Sequence, residues 1–137
     1  HSSATQTELF AFGRDGHLHV KDDVTAFSTS VGSDRRLKEN IKPLENNLEK
    51  ILELKPSSFR WKINQKKDDV GLIAQEVEPI LPEVVKEVHS IGNEVVDLTG
   101  EIHHKTIDYS KLTTFLIGAI QEQQKQIDEL KKKLEEL

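Results

Sequence analysis

The sequence predicts an α+β protein in three parts: the end of a β-rich structure over residues 1–33, a small mixed helix and strand unit over 34–108, and a long coiled-coil helix over 109–137. Three observations carry this. Short β-leaning runs fill the first part, helical and alternating apolar spacings take turns in the second, and a heptad of apolar residues runs through the third. At 137 residues the chain has room for one ordinary core with appendages and not for two.

In the first part, Leu9–Phe12, His17–Val20 and Val24–Ser28 are separated by the turn signals Gly13–Gly16 and Lys21–Asp23. Strands of four or five residues are marginal without a further strand or packing partner, so this segment reads as the tail of a larger β structure. The start His1-Ser2-Ser3 is expected to be a tag scar. Thr29–Ser33 is a small-residue link, where extended and accessible backbone is expected.

From Asp34, apolar residues at Leu37, Ile41, Leu44, Leu48, Ile51 and Leu52 fall at spacings of three and four. With Pro43 interrupting and Pro56 stopping the run, the pattern predicts a short helical turn and then a helix over about 44–54. Ser58–Ile63 alternates as a half-buried strand, with Val70–Ile73 as its partner across a polar loop. Ala74–Glu78 is expected to be helical and to be ended by Pro79 and Pro82. Val84–Val88 and Glu94–Leu98 flank Ser90–Asn93 as a predicted hairpin. Asp108 is the predicted N-cap of the last helix.

With Thr113, Ile120, Ile127 and Leu134 at heptad position a, Tyr109, Leu116, Gln123, Leu130 and Leu137 fall at d. A stripe this narrow needs a partner, from another chain in a coiled coil or from the protein's own domain. Polar Gln123 in the seam costs stability and fixes register, while Ile at a with Leu at d favours dimers in peptides, so the seam alone leaves the number of chains open.

Composition narrows the chemistry. Charges of 19 Lys and Arg against 24 Asp and Glu give a net charge of -5, with no basic block longer than three residues, which argues against nucleic acid or an anionic membrane as partner. The absence of cysteine excludes a thiol nucleophile, a disulfide framework and a Cys-ligated metal. No apolar run reaches the ~18 residues of a membrane span, and no signal peptide pattern opens the sequence. His103 and His104 are adjacent and so are poor joint ligands, His17 and His19 lack a third, and no glycine-rich phosphate loop is present. No metal, cofactor or small-molecule substrate is expected.

One cluster remains, Gly32-Ser33-Asp34-Arg35-Arg36-Leu37-Lys38-Glu39-Asn40-Ile41. Ser33 at a helix start is read most simply as an N-cap, with Asp34 favourable to the dipole. The alternative is a Ser-Lys pair. Lys38 lies just over one helical turn on, and neighbouring Arg35 and Arg36 with partial burial would lower its pKa enough to accept the serine proton.

The run from Ser33 to Ile41, followed by Phe59-Arg60-Trp61, then Val70–Val77 and a terminal coil, resembles the S74 peptidases. These are the self-cleaving C-terminal intramolecular chaperone domains of phage tailspikes, tail fibres and neck appendages. The resemblance covers residues 33–137. It implies a homotrimer that registers the preceding β-rich fibre and then releases itself, within the bacterial host cytoplasm, leaving the chaperone part out of the mature virion. By position it implies Ser33 as catalytic serine, Lys38 as its partner, Ser33–Asp34 as the bond cut, and Gln75 and Glu76 as supporting residues. The chemistry stays open between attack on a neighbouring bond or chain and a water oriented by Ser33 and Lys38 with Asp34 assisting. Two other readings are a trimerisation cap that does not cut, and a domain similar to that of the myelin regulatory factor family.

Overall fold

The computed structural model describes residues 10–12, 16–20, 23–62, 67–89 and 103–137. Its strands pair into three separate antiparallel hairpins, and a long helix closes the chain. In the N-terminal part, β1 (Phe10–Phe12) pairs with β2 (Leu18–Val20), with Ala11 opposite His19. The third β-leaning run, Val24–Ser28, forms no strand and joins none of the described sheets. Its Phe27 side chain is fully exposed, as are most of those of Val24 and Val31.

The middle part opens with a 3-10 turn at Arg35–Leu37 and continues to α1 (Asn47–Leu52). Helix α1 is shorter than the predicted span. Asn46 at its start takes a left-handed conformation, φ 57°, which asparagine tolerates better than most residues, and makes no side-chain cap. The missing cap comes from elsewhere: Glu122 Oε2 accepts from the backbone N–H groups of Asn47 at 2.9 Å and Leu48 at 3.4 Å.

β3 (Ser57–Arg60) and β4 (Asp68–Gly71) form the second hairpin, with Phe59 opposite Asp69, close to the expected strands. α2 (Ala74–Val77) follows as predicted and leads through Pro82–Val84, a second 3-10 turn, into β5 (Val85–His89). The partner of β5 differs from the prediction. β6 (His103–Ile107) fills that place, with Val85 opposite Ile107, and the expected turn at Ser90–Asn93 and strand Glu94–Leu98 lie outside the described residues. The Lys105 ammonium on β6 is paired with the Glu78 carboxylate at the end of α2.

The core sits where α2 and the turn after it meet the last helix, α3 (Tyr109–Glu135). Val77, Leu81, Val84, Leu112 and Phe115 are buried together, flanked by Ile51, Leu54, Leu72, Ile80, Val85 and Ile107. Helix α3 begins as predicted at Asp108, whose carboxylate accepts from the Ser110 hydroxyl at 2.6 Å and the Lys111 N–H at 3.3 Å. The Ser110 bond above all holds that carboxyl below its ordinary range. The backbone N–H of Asp108 donates to the Val84 carbonyl at 2.7 Å, which fixes the start of α3 to the core.

Helix α3 docks on its own domain through a face other than the predicted heptad stripe, which is exposed. Leu112, Phe115 and Ala119 are buried against the domain, with Gly118 packed on buried Asn47. The heptad positions Leu116, Ile120, Ile127, Leu130, Leu134 and Leu137 are exposed, as is Gln123. At 3.6 residues per turn the docked face and the heptad face lie roughly 90° apart. Every residue from Gln123 onward is exposed, so the second half of α3 projects beyond the domain. None of the helices in the described residues is long and apolar enough to cross a membrane.

Candidate functional site

The link from Val31 to Asp34 is exposed, as the small residues suggested, and Asp34 itself is extended. At Asp34 the chain turns. Its backbone carbonyl accepts from the Leu37 N–H at 3.0 Å, the Arg35 carbonyl accepts from Lys38 N–H at 3.1 Å, and these two bonds define the 3-10 turn. The cap of this turn is Asp34 and not Ser33: the Asp34 carboxylate accepts from the Arg36 N–H at 2.8 Å. That corrects the simplest reading of Ser33 and releases its hydroxyl for another contact.

Lys38 leaves the turn in extended conformation, φ -127° and ψ 152°, so the chain folds back alongside its own entrance. Its ammonium Nζ reaches Ser33 Oγ at 2.8 Å. The two residues that the Ser-Lys alternative required are therefore in hydrogen-bond contact, across a single turn. Both are exposed in the single chain, which lacks the partial burial expected for Lys38. Of the two arginines expected to bear on it, Arg36 is directed to Asp34: Nε donates to Oδ1 at 3.0 Å and Nη2 to Oδ2 at 2.9 Å. The Arg36 guanidinium, with its backbone N–H second, holds the Asp34 carboxyl below its ordinary range.

Gln75 and Glu76 lie on α2. Glu76 lines a groove with Lys55, Leu72 and Ile73, between the end of α1 and α2. Among the described residues no hydrogen bond or ion pair joins Gln75 or Glu76 to Ser33 or Lys38. No group of three or more His, Asp or Glu suited to a metal ion occurs among the described residues.

Two residues emerge that sequence reasoning did not single out for these roles. The contact of Arg36 with Asp34 had a local signal, opposite charges two residues apart at a turn. Glu122 had none, because its partners are 74 and 75 residues away in sequence.

Residues 33–86 match the protein family model Peptidase S74, described as chaperone of endosialidase. This segment belongs to the S74 family. The S74 match begins at Ser33 itself and includes Asp34, Lys38, Gln75 and Glu76. Beyond the S74 segment, the chain is 37% identical over 130 residues to long tail fiber protein Gp37 of Enterobacteria phage Ox2, and equally to that of Enterobacteria phage M1. In each case 90% of this chain and 48% of the relative are covered. Long tail fiber protein Gp37 of Salmonella phage S16 is 36% identical over 115 residues, which are 79% of this chain and 14% of the relative. The chain thus spans about half the length of the first two relatives.

Proposed function

We propose that this chain is the assembly end of a phage tail fibre: an intramolecular chaperone that joins three chains through the α3 seam and then cuts itself off between Ser33 and Asp34. The observation that carries the reading is the 2.8 Å contact of Lys38 Nζ with Ser33 Oγ at the first residue of the S74 match. The tail fibre names of the relatives and the exposed heptad face of α3 support it.

In the cut, the amide between the Ser33 carbonyl carbon and the Asp34 nitrogen breaks. Water adds its hydroxyl to the carbon and its proton goes to the nitrogen, leaving a Ser33 carboxylate and an Asp34 amine. Attack by Ser33 Oγ on its own carbonyl would close a four-membered ring, so the hydroxyl is assigned to holding the water. Lys38, in its neutral form, donates one hydrogen to Oγ, accepts the water's proton on its lone pair and returns it to the leaving nitrogen. A neutral lysine at physiological pH needs desolvation or nearby positive charge. In this reading a neighbouring copy supplies the cover, which couples the cut to assembly. Once cut, the fibre loses the element that registered it and is kinetically trapped.

Intact mass under denaturing conditions, with native mass for chain number, tests this on freshly purified wild type, Ser33→Ala and Lys38→Ala. Fragments meeting between Ser33 and Asp34 in wild type alone, with a native mass of three chains, are expected. Uncut wild type in a trimer reduces the role to a structural cap, and a monomer removes both parts of the proposal.

A further inference from the structure

The structure assigns Arg36 the role of positioning residue for self-cleavage: by clamping the Asp34 carboxylate it fixes the turn that brings Lys38 to Ser33. This rests on the reading of Ser33–Asp34 as the bond cut. Three donors of one residue converge on that carboxylate, the Arg36 N–H at 2.8 Å, Nε at 3.0 Å and Nη2 at 2.9 Å. Both carboxylate oxygens are engaged, so Asp34 acts as an anchor for the bond's leaving side and not as a proton carrier. The turn that follows has only two backbone bonds, Leu37 to Asp34 and Lys38 to Arg35, and contains no buried residue. Nothing from the core holds it, which leaves the Asp34 clamp as its local brace. Lys38 is reached through that turn, so loosening it moves the amine from the hydroxyl at 2.8 Å.

Arg36 and Asp34 form an exposed pair, with side-chain exposures of 88% and 46%, and such pairs add little to global stability. That separates positioning from folding. Arg36→Ala is expected to cut at least 10-fold more slowly than wild type with an unchanged thermal midpoint, and Arg36→Lys to recover only part of the rate, since an ammonium cannot supply the two-pronged contact. Arg35→Ala removes the same charge without that contact and is expected to slow the cut less. Equal slowing in both would point to a general charge effect and overturn the assignment. A second readout needs no cleavage: in a Ser33→Ala background, Arg36→Ala should speed hydrogen exchange at the amides of Leu37 and Lys38. Unchanged exchange there overturns the assignment, as does undiminished cutting by Arg36→Ala. An uncut wild-type chain overturns the cleavage reading itself, a distinguishable failure.

Discussion

Glycine 118 shows how much can rest on one absent methyl group. A Cβ there would lie 2.7 Å from Asn47 Cγ, in the interface where α1 meets α3. Asn47 is 3% exposed, donates from Nδ2 to the Leu44 carbonyl at 3.1 Å and has little room to withdraw. Gly118→Ala is therefore expected to destabilise the domain by ~1–3 kcal/mol, even though alanine is the better helix former. Urea unfolding of the purified variant checks this, and a gain in stability would refute it. Gly118 was visible in the sequence as the lone glycine of the long helix. Its reason was not, because Asn47 lies 71 positions earlier and only the fold brings the two together. At Ser33 the opposite held: both partners of the contact lie within six residues, so a local reading could propose it, while the identity of the cap and the burial of Lys38 were misjudged.

At the scale of elements, α3 carries two separate apolar faces, one docked and one exposed. Phe115 is 5% exposed in the core, and Phe115→Ala is expected to cost ~3–5 kcal/mol and to unfold the unit. Ile127 and Leu134 are exposed, beyond the part of α3 that docks on the domain; their joint change to serine is expected to leave helix content and domain stability near those of the wild type while abolishing the proposed trimer. Circular dichroism with sedimentation at equal chain concentration distinguishes the two; a trimer that survives the seam change refutes the assignment of that face. The length and N-cap of α3 were legible because a heptad repeats a local rule. The partner of β5 was not. Glu94–Leu98 is the more apolar run, whereas His103–Ile107, which pairs with β5, leads directly into Asp108, whose N–H donates to the Val84 carbonyl.

For the whole molecule, the described core is thin. Five apolar side chains are buried together, while Val24, Phe27, Val31, Leu37, Ile41 and Leu44 are all exposed between the N-terminal hairpin and α1. The helical spacing of Leu37, Ile41 and Leu44 was read from the sequence as a short helical turn leading to a helix over about 44–54, yet all three are exposed in the single chain. In the proposed assembly neighbouring copies cover them and complete the exposed site around Lys38. The rate of self-cleavage should then depend on concentration, falling on dilution below the trimer's dissociation range. Timed mass measurements over a dilution series test this, and a dilute monomer cutting at full rate would sink it. The family was legible because its motifs are short and ordered along the chain; how Gln75 and Glu76 stand to Ser33 was not, because spacing does not encode the fold between them.

The roughly 90° between the docked and seam faces of α3 has a geometric consequence. In the proposed trimer, opposed faces would point the three domains straight outward from the seam like spokes. Faces a quarter turn apart would instead lean each domain sideways toward the next helix, as in a pinwheel.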